Sequence, residues 1–118
     1  MAKYLLLLRG DGHGLDNLSP EQIQGLIARY GAWREGLMKS GKYLASDKLR
    51  DHQGRVLRRE NSKIVVMDGP YTETKEVLGG YFAIEADNYD QAIDLVSDCP
   101  HFDFGTVEIR EIEDMRRP

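Results

Sequence analysis

The sequence predicts an α+β fold in which four strands and two helices follow the order βαββαβ, with a β-hairpin inserted after the second strand. Three observations support this prediction. Tyr4 to Leu8 is apolar at every position, as in a buried strand. Residues 23–37 carry apolar side chains at helical spacing. Ile64 to Met67 is rich in β-branched residues, which is typical of a buried strand.

The first half of the chain supplies a strand, a long helix and a second strand. Tyr4 to Leu8 lacks polar alternation, so we expect it in the middle of the sheet, covered on both faces by helices or a partner. Ser19 can cap the helix, and Gln22, three residues later, completes a capping box. Gly41 is placed to end the helix. Residues 42–50 are the second strand.

The second half completes the order with a hairpin, a strand, a helix and a last strand. Glycine, proline or clusters of polar residues mark the turns between them. The predicted bounds are 55–59 and 63–68 for the hairpin, 80–86 for the next strand, the segment between the Asp87–Asn88 cap and Pro100 for the helix, and 105–112 for the last strand.

Without the hairpin, this order is the split βαβ, or ferredoxin-like, arrangement. Its two helices cover one face of the sheet, so the other face must be covered by a second copy, a ligand or nucleic acid. The 118 residues are enough for one domain and too few for two independent cores. We therefore expect a single domain over residues 1–118, with its function on the uncovered face.

Composition excludes several classes of protein. The formal net charge of −4 argues against a general nucleic-acid binder, which needs a basic face. Cys99 is the only cysteine, which rules out an internal disulfide and fits a reducing compartment. The apolar run at 4–8 is shorter than the about 20 residues of a membrane span and the roughly 7–15 of a secretory signal. We expect a cytoplasmic protein that binds neither nucleic acid nor membrane.

The densest polar cluster covers residues 68–76, Asp-Gly-Pro-Tyr-Thr-Glu-Thr-Lys-Glu. Asp68 is the last residue of a predicted strand. A Gly-Pro pair then turns the chain, and Glu73, Lys75 and Glu76 follow. Carboxylates beside an ammonium group could act as general acid, general base and orienting charge. The alternative is a solvated loop in which Asp68 bonds the amides of its own turn.

The three histidines are the other candidates for chemistry. His101 follows the second helix, where an imidazole could shuttle protons near neutral pH, or could simply bond the helix end. His13, in a glycine-rich loop, and His52, in a charged turn, are expected at the surface. Cys99 and His101 have no second ligand pair at zinc-site spacing, so no metal site is predicted. The glycine-rich loop fits neither the phosphate-loop nor the dinucleotide pattern, so no cofactor is expected.

The stretch from Asp68 to Tyr81 resembles the signature of the DGPF branch of the YCII-related family, which is Asp-Gly-Pro-Phe, a Glu, then Lys-Glu and Gly-Gly-Tyr. Tyr71 stands where that pattern has Phe. The resemblance continues along the second helix to Gly-x-Val-Glu-Ile-Arg at 105–110. It also includes Gly-Lys-Tyr-Leu at 41–44, so it covers nearly the whole chain.

The resemblance implies a ferredoxin-like fold that dimerises through its sheets, as in dimeric α/β barrels. It also implies a cleft lined by the motif loop and the segment after the second helix, with His101 at its mouth. Some members of the family are suggested to be enzymes that use a His and an Asp, and some genes of the DGPF branch lie beside sigma-factor-like regulators. The wider family often has a histidine on the first helix, whereas residues 19–40 contain none.

Three hypotheses follow. The first is a homodimeric, cofactor-free enzyme that transfers a proton on a small polar metabolite, with Asp68 or His101 as the catalytic acid or base. The residues expected to bind its substrate are Tyr71, Glu73, Lys75 and Glu76. The second is a dimeric ligand-binding or transcription-linked regulatory module that uses the same cleft without turnover. The third is a structural interaction domain, in which the motif holds the hairpin and the dimer together.

Overall fold

The computed structural model describes residues 1–69 and 76–116. That part of the chain contains six strands, two α-helices and a 3₁₀ turn at Pro100–Asp103. The elements are β1 (Ala2–Gly10), α1 (Pro20–Lys39), β2 (Tyr43–Lys48), β3 (Arg55–Glu60), β4 (Lys63–Asp68), β5 (Val77–Ala86), α2 (Tyr89–Val96) and β6 (Gly105–Ile112). Neither helix is long and apolar enough to cross a membrane.

Four strands form one antiparallel sheet in the order β2-β5-β1-β6. The other two, β3 and β4, pair with each other in a separate hairpin between β2 and β5. When the hairpin is set aside, the remaining elements are the four strands and two helices of the ferredoxin-like arrangement. The predicted α+β fold with an inserted hairpin is therefore confirmed, while dimerisation of the sheets stays a prediction.

Both helices pack on the same face of the sheet, and the core lies between them and the central strands. Tyr4, Leu6 and Leu8 of β1 are at most 7% exposed and belong to one core cluster with residues of both helices. Leu5 and Leu7 point to the opposite face and are half-buried. The apolar run therefore does place β1 in the centre of the sheet, but within the chain helices cover only one side of it.

The predicted start and end of α1 are both confirmed. The Ser19 hydroxyl accepts a hydrogen bond from the Gln22 amide at 3.1 Å, and the Gln22 side chain accepts one from the Ser19 amide at 2.8 Å. Gly41 follows the helix with φ 73°, a left-handed conformation that favours glycine. Ile27 belongs to the apolar stripe by spacing, yet it is 64% exposed because the helix turns its Leu26 and Leu37 edge to the sheet.

The hairpin differs most from its prediction. The run from Ile64 to Met67 was expected to be a buried strand, but Ile64 is 51% exposed and Val66 is 57% exposed. Leu57, which pairs with Val66 on the same hairpin face, is 60% exposed. The physical reason is that β4 pairs with β3 rather than joining the four-stranded sheet, so neither helix packs against it. The interpretation of this run as a buried strand is wrong.

Candidate functional site

The sheet face opposite the helices, here called the open face, combines an apolar centre with a charged surround. Leu5 and Leu7 of β1 lie beside Ala83 of β5, and all three are half-buried. The strand registers place the polar side chains of this face around that centre. They are Lys3, Arg9, Asp47, Tyr81, Glu85, Thr106, Glu108 and Arg110. Charges of both signs are therefore interspersed on the open face.

Four of the described polar residues meet at one end of the open face, and we call them the Arg9 cluster: Arg9, Glu76, Thr106 and Glu108. The Arg9 Nε donates to Glu108 Oε1 at 3.1 Å, and the two side chains are 32% and 42% exposed. The Thr106 hydroxyl lies 3.2 and 3.1 Å from the two carboxylate oxygens of Glu76. A cation and two carboxylates thus share a solvent-accessible edge of the sheet.

A break in strand register sets the position of Arg9. Leu8 pairs with Gly80 of β5, but Arg9 pairs with Leu78, which leaves Gly79 as the extra residue of a bulge. The Gly79 carbonyl instead accepts a hydrogen bond from the Leu49 amide at 2.9 Å. Bulges re-aim neighbouring side chains and are over-represented next to functional sites. Here the bulge lies next to Arg9 itself, because the register shifts between Leu8 and Arg9.

His101 lies between α1 and β1, in the 3₁₀ turn. Its Nε2 is 2.7 Å from the backbone carbonyl of Arg9, and its Nδ1 is 3.2 Å from the Tyr30 hydroxyl. A carbonyl can only accept, so Nε2 carries a proton, and in the neutral imidazole Nδ1 then accepts from the Tyr30 hydroxyl. Burial raises the pKa of Tyr30, which keeps its hydroxyl protonated as the donor. Both ring nitrogens of the predicted catalytic histidine are therefore used within the chain.

Asp68, the other predicted catalytic residue, lies at the last position of β4 with its side chain 96% exposed. Its Oδ1 is 3.6 Å from Arg55 Nη1, in an exposed ion pair across the hairpin. In the part of the chain that the structure describes, no hydrogen bond or ion pair joins Asp68 to His101. The two predicted catalytic residues therefore do not form a dyad there, and their roles stay predictions.

The four predicted substrate-binding residues divide into two groups. Tyr71, Glu73 and Lys75 lie outside the described residues. Glu76 is described, and its carboxylate belongs to the Arg9 cluster. The strand ends of β1 and β6 meet Glu76 there, so one end of the motif segment adjoins the polar edge of the open face.

A second cluster was missed by the sequence analysis. We call it the His13 cluster: His13 and Asp16 from the loop after β1, and His52 from the loop after β2. The Asp16 carboxylate lies 2.8 Å from His13 Nδ1 and 3.7 Å from His52 Nε2. The hydrogen bond between His13 and Asp16 raises the pKa of the imidazole and lowers that of the carboxyl. His13 and His52 are at the surface, as predicted, but they are not isolated there.

The sequence profile of the YCII-related domain matches residues 2–116. An uncharacterised protein of Rhizobium meliloti (strain 1021) is 36% identical to the chain over 58 residues, which are 48% of the chain. That match spans 47% of the length of the Rhizobium protein. Because the family profile covers almost the whole sequence, this chain belongs to the YCII-related family.

Proposed function

We propose that this protein is a homodimer in which the open faces of two sheets pair and frame a binding site for a small anionic metabolite. The Arg9 cluster, which includes Glu76, would form the polar wall of that site. The proposal rests on the composition of the open face. Its apolar centre is half-buried, and an arginine and two carboxylates lie at one end of the face.

The open face has the properties that a symmetric interface requires. In a two-fold dimer the same surface meets itself, so it must be self-complementary. Leu5, Leu7 and Ala83 offer apolar area, which is stabilised by removal from water. The cations Lys3 and Arg110 lie on the same face as carboxylates, so two copies can meet without net repulsion.

Arg9 favours an anionic ligand. Its ion pair with Glu108 uses Nε, at the inner end of the guanidinium group. A guanidinium group presents five N–H donors in a planar fork that matches a carboxylate or phosphate with two parallel hydrogen bonds. Among residues 1–69 and 76–116, the two terminal nitrogens of Arg9 make no hydrogen bond, and a ligand at this edge would meet them.

The contacts of His101 favour binding without turnover over acid–base catalysis. Both of its ring nitrogens contact groups of the same chain, Tyr30 and the Arg9 carbonyl, and so stabilise the fold. A cofactor-free enzyme that transfers a proton, with Asp68 or His101 as acid or base, is the second candidate. The observation in its favour is that the Asp68 carboxylate lies at the end of β4 with its side chain 96% exposed, so a substrate could reach it.

Two finer assignments belong to this proposal. We assign the chain to the DGPF branch on the strength of its motif from Asp68 to Tyr81. We also assign it to the cytoplasm, because its single cysteine, Cys99, is a buried free thiol, and free thiols persist in reducing compartments. A role beside a transcriptional regulator would use the same ligand-binding dimer as a sensor.

The test is a calorimetric titration of the wild type with a panel of small mono- and dicarboxylates, followed by Arg9→Met. We expect at least one saturable ligand, and we expect Arg9→Met to weaken its binding by about tenfold or more, the effect of losing a charged hydrogen-bond donor. Lys39→Met is the matched control, since Lys39 is an exposed cation in the last turn of α1, away from the open face, and it should retain wild-type affinity.

Two results would contradict the binding site proposed at Arg9. One is a panel without any saturable ligand, and the other is a ligand whose affinity Arg9→Met leaves unchanged. Every ligand that binds is then incubated with the wild type and followed by NMR. Chemical conversion of that ligand by the wild type, but not by Asp68→Asn, would favour the acid–base enzyme over the binding module.

A further inference from the structure

The His13 cluster lies where two parallel strands end at the same edge of the sheet. β1 and β2 each pair with β5 in antiparallel fashion, so they run parallel to one another. The loop that follows β1 carries His13 and Asp16, and the loop that follows β2 carries His52. The fold therefore brings together two imidazoles and a carboxylate from distant parts of the sequence.

The three side chains converge on one point in space. One ligand atom from each lies within 4.8 Å of the other two. The two imidazole nitrogens contact different oxygens of the same carboxylate, His13 Nδ1 at 2.8 Å from Oδ2 and His52 Nε2 at 3.7 Å from Oδ1. The ring centroids of the two histidines are 5.3 Å apart. All three candidate ligand atoms therefore belong to side chains of His13, Asp16 and His52.

These separations are close to those of a metal site. Ligands at about 2.0–2.1 Å from a tetrahedral metal ion are about 3.3 Å from one another. The distances of 2.8 and 3.7 Å to the two carboxylate oxygens lie on either side of that value, and all three ligand atoms lie within 4.8 Å of one another, so side-chain rotations would bring them onto one ion. The loop also holds His13 and Asp16 in place: the Asp16 amide donates to the His13 carbonyl at 3.0 Å, and the His13 amide donates to Asp11 Oδ1 at 2.8 Å.

The chemistry of the ligands selects the metal class. Imidazole nitrogens suit zinc, iron, nickel and copper, whereas magnesium and calcium prefer oxygen ligands alone. Three protein ligands leave one or more coordination positions open, as in catalytic rather than structural zinc sites. His13, Asp16 and His52 are all exposed, so water or an anionic ligand has access to such positions.

We propose that His13, Asp16 and His52 form a binding site for a divalent first-row transition metal ion of the zinc type. This site shares no residue with the Arg9 cluster. On binding, the metal ion would lie between His13 Nδ1 and Asp16, which are joined by a hydrogen bond in its absence. The remaining coordination positions face solvent at the strand edge.

Calorimetric titration of the EDTA-treated wild type with Zn²⁺ tests this proposal. We expect one Zn²⁺ per chain and no saturable heat with Mg²⁺. We expect Zn²⁺ binding to weaken by at least about tenfold in each of three variants, His13→Ala, Asp16→Asn and His52→Ala. Mutation of residues that only hydrogen-bond to metal ligands already lowers metal affinity by about 10–100-fold, so loss of a ligand should cost at least as much. Asp98→Asn, the same chemical change at an exposed position after α2, should bind as the wild type does.

NMR spectra of the histidine rings identify the ligands directly. Zn²⁺ should shift the ring signals of His13 and His52 and leave those of His101, the third histidine, in place. The proposal is overturned if the wild type gives no saturable Zn²⁺ binding below millimolar concentration. It is also overturned if the double variant His13→Ala/His52→Ala binds as tightly as the wild type. Far-ultraviolet circular dichroism checks that each variant is folded.

Discussion

Gly105→Ala is expected to lower the free energy of unfolding by about 3 kcal/mol, the upper part of the range for overpacked sites. Gly105 begins β6 and pairs with Gly10 of β1. A Cβ atom on Gly105 would lie 1.9 Å from the Arg9 carbonyl oxygen and 3.0 Å from the Gly10 Cα. Both are backbone atoms of the central strand, so no side-chain rotation can relieve the clash. Urea unfolding curves of the two proteins measure this loss.

Gly25→Ala is the matched control for this substitution. Gly25 lies within α1, and a Cβ atom there would meet nothing within 4 Å. Since alanine favours the helix over glycine by roughly 0.5–1 kcal/mol, this variant should be slightly more stable than the wild type. A Gly105→Ala protein with wild-type stability would mean that β1 and β6 are not so closely apposed at their glycine pair.

His101→Ala should cost about 2 kcal/mol of stability, because it removes two hydrogen bonds of about 1 kcal/mol each. One ties the 3₁₀ turn to the Arg9 carbonyl at 2.7 Å, and the other ties it to the Tyr30 hydroxyl at 3.2 Å. Tyr30→Phe removes only the second bond and should cost about 1 kcal/mol. Urea midpoints of the single and double variants form a cycle that isolates the coupling between the two side chains.

Asp68→Asn supplies the comparison for His101→Ala. The Asp68 side chain is 96% exposed, so this change should alter stability by less than about 0.5 kcal/mol. Residues that serve function often contribute nothing to the stability of the fold, or lower it. A His101→Ala variant as stable as the wild type would therefore contradict the bridging role of His101 and favour its catalytic role.

Local chemistry made most of the fold predictable from the sequence. The capping box of Ser19 and Gln22 involves residues three apart, and the Asn88 side chain likewise caps α2 by accepting from the Gln91 amide at 2.9 Å. The apolar run of β1 and the turn residues between strands are also local signals. Together they were sufficient for the element order, and that order indicates the ferredoxin-like arrangement.

Burial was harder to predict, because it depends on which elements pack together. Tyr89 and Ile93 share helical spacing with the buried Ala92 and Val96, yet they are 45% and 52% exposed. The short helix α2 turns only one edge to the sheet. Val66 of the hairpin is exposed for a related reason, since apolar content alone does not reveal whether a strand joins the main sheet.

The candidate sites depend on contacts between distant residues, which spacing cannot reveal. Tyr30 and His101 are 71 positions apart, and nothing in either segment indicates the other. The His13 cluster did have a signal. The predicted βαβ order makes the first two strands parallel, so the loops after them begin at the same edge, and one histidine lies in each loop. Combining topology with residue type would have placed His13 near His52.

Sedimentation velocity of the wild type and Leu7→Glu tests the central claim most directly. Leu7 lies in the middle of the open face, half-buried. We expect the wild type to sediment at twice the 13.4 kDa mass of the chain, and Leu7→Glu to sediment as a monomer, because a carboxylate would be buried in the apolar centre of the interface. The control Ile27→Glu, at a 64% exposed position on α1, should remain dimeric. A monomeric wild type, or a dimer that Leu7→Glu leaves intact, would contradict pairing through the open face.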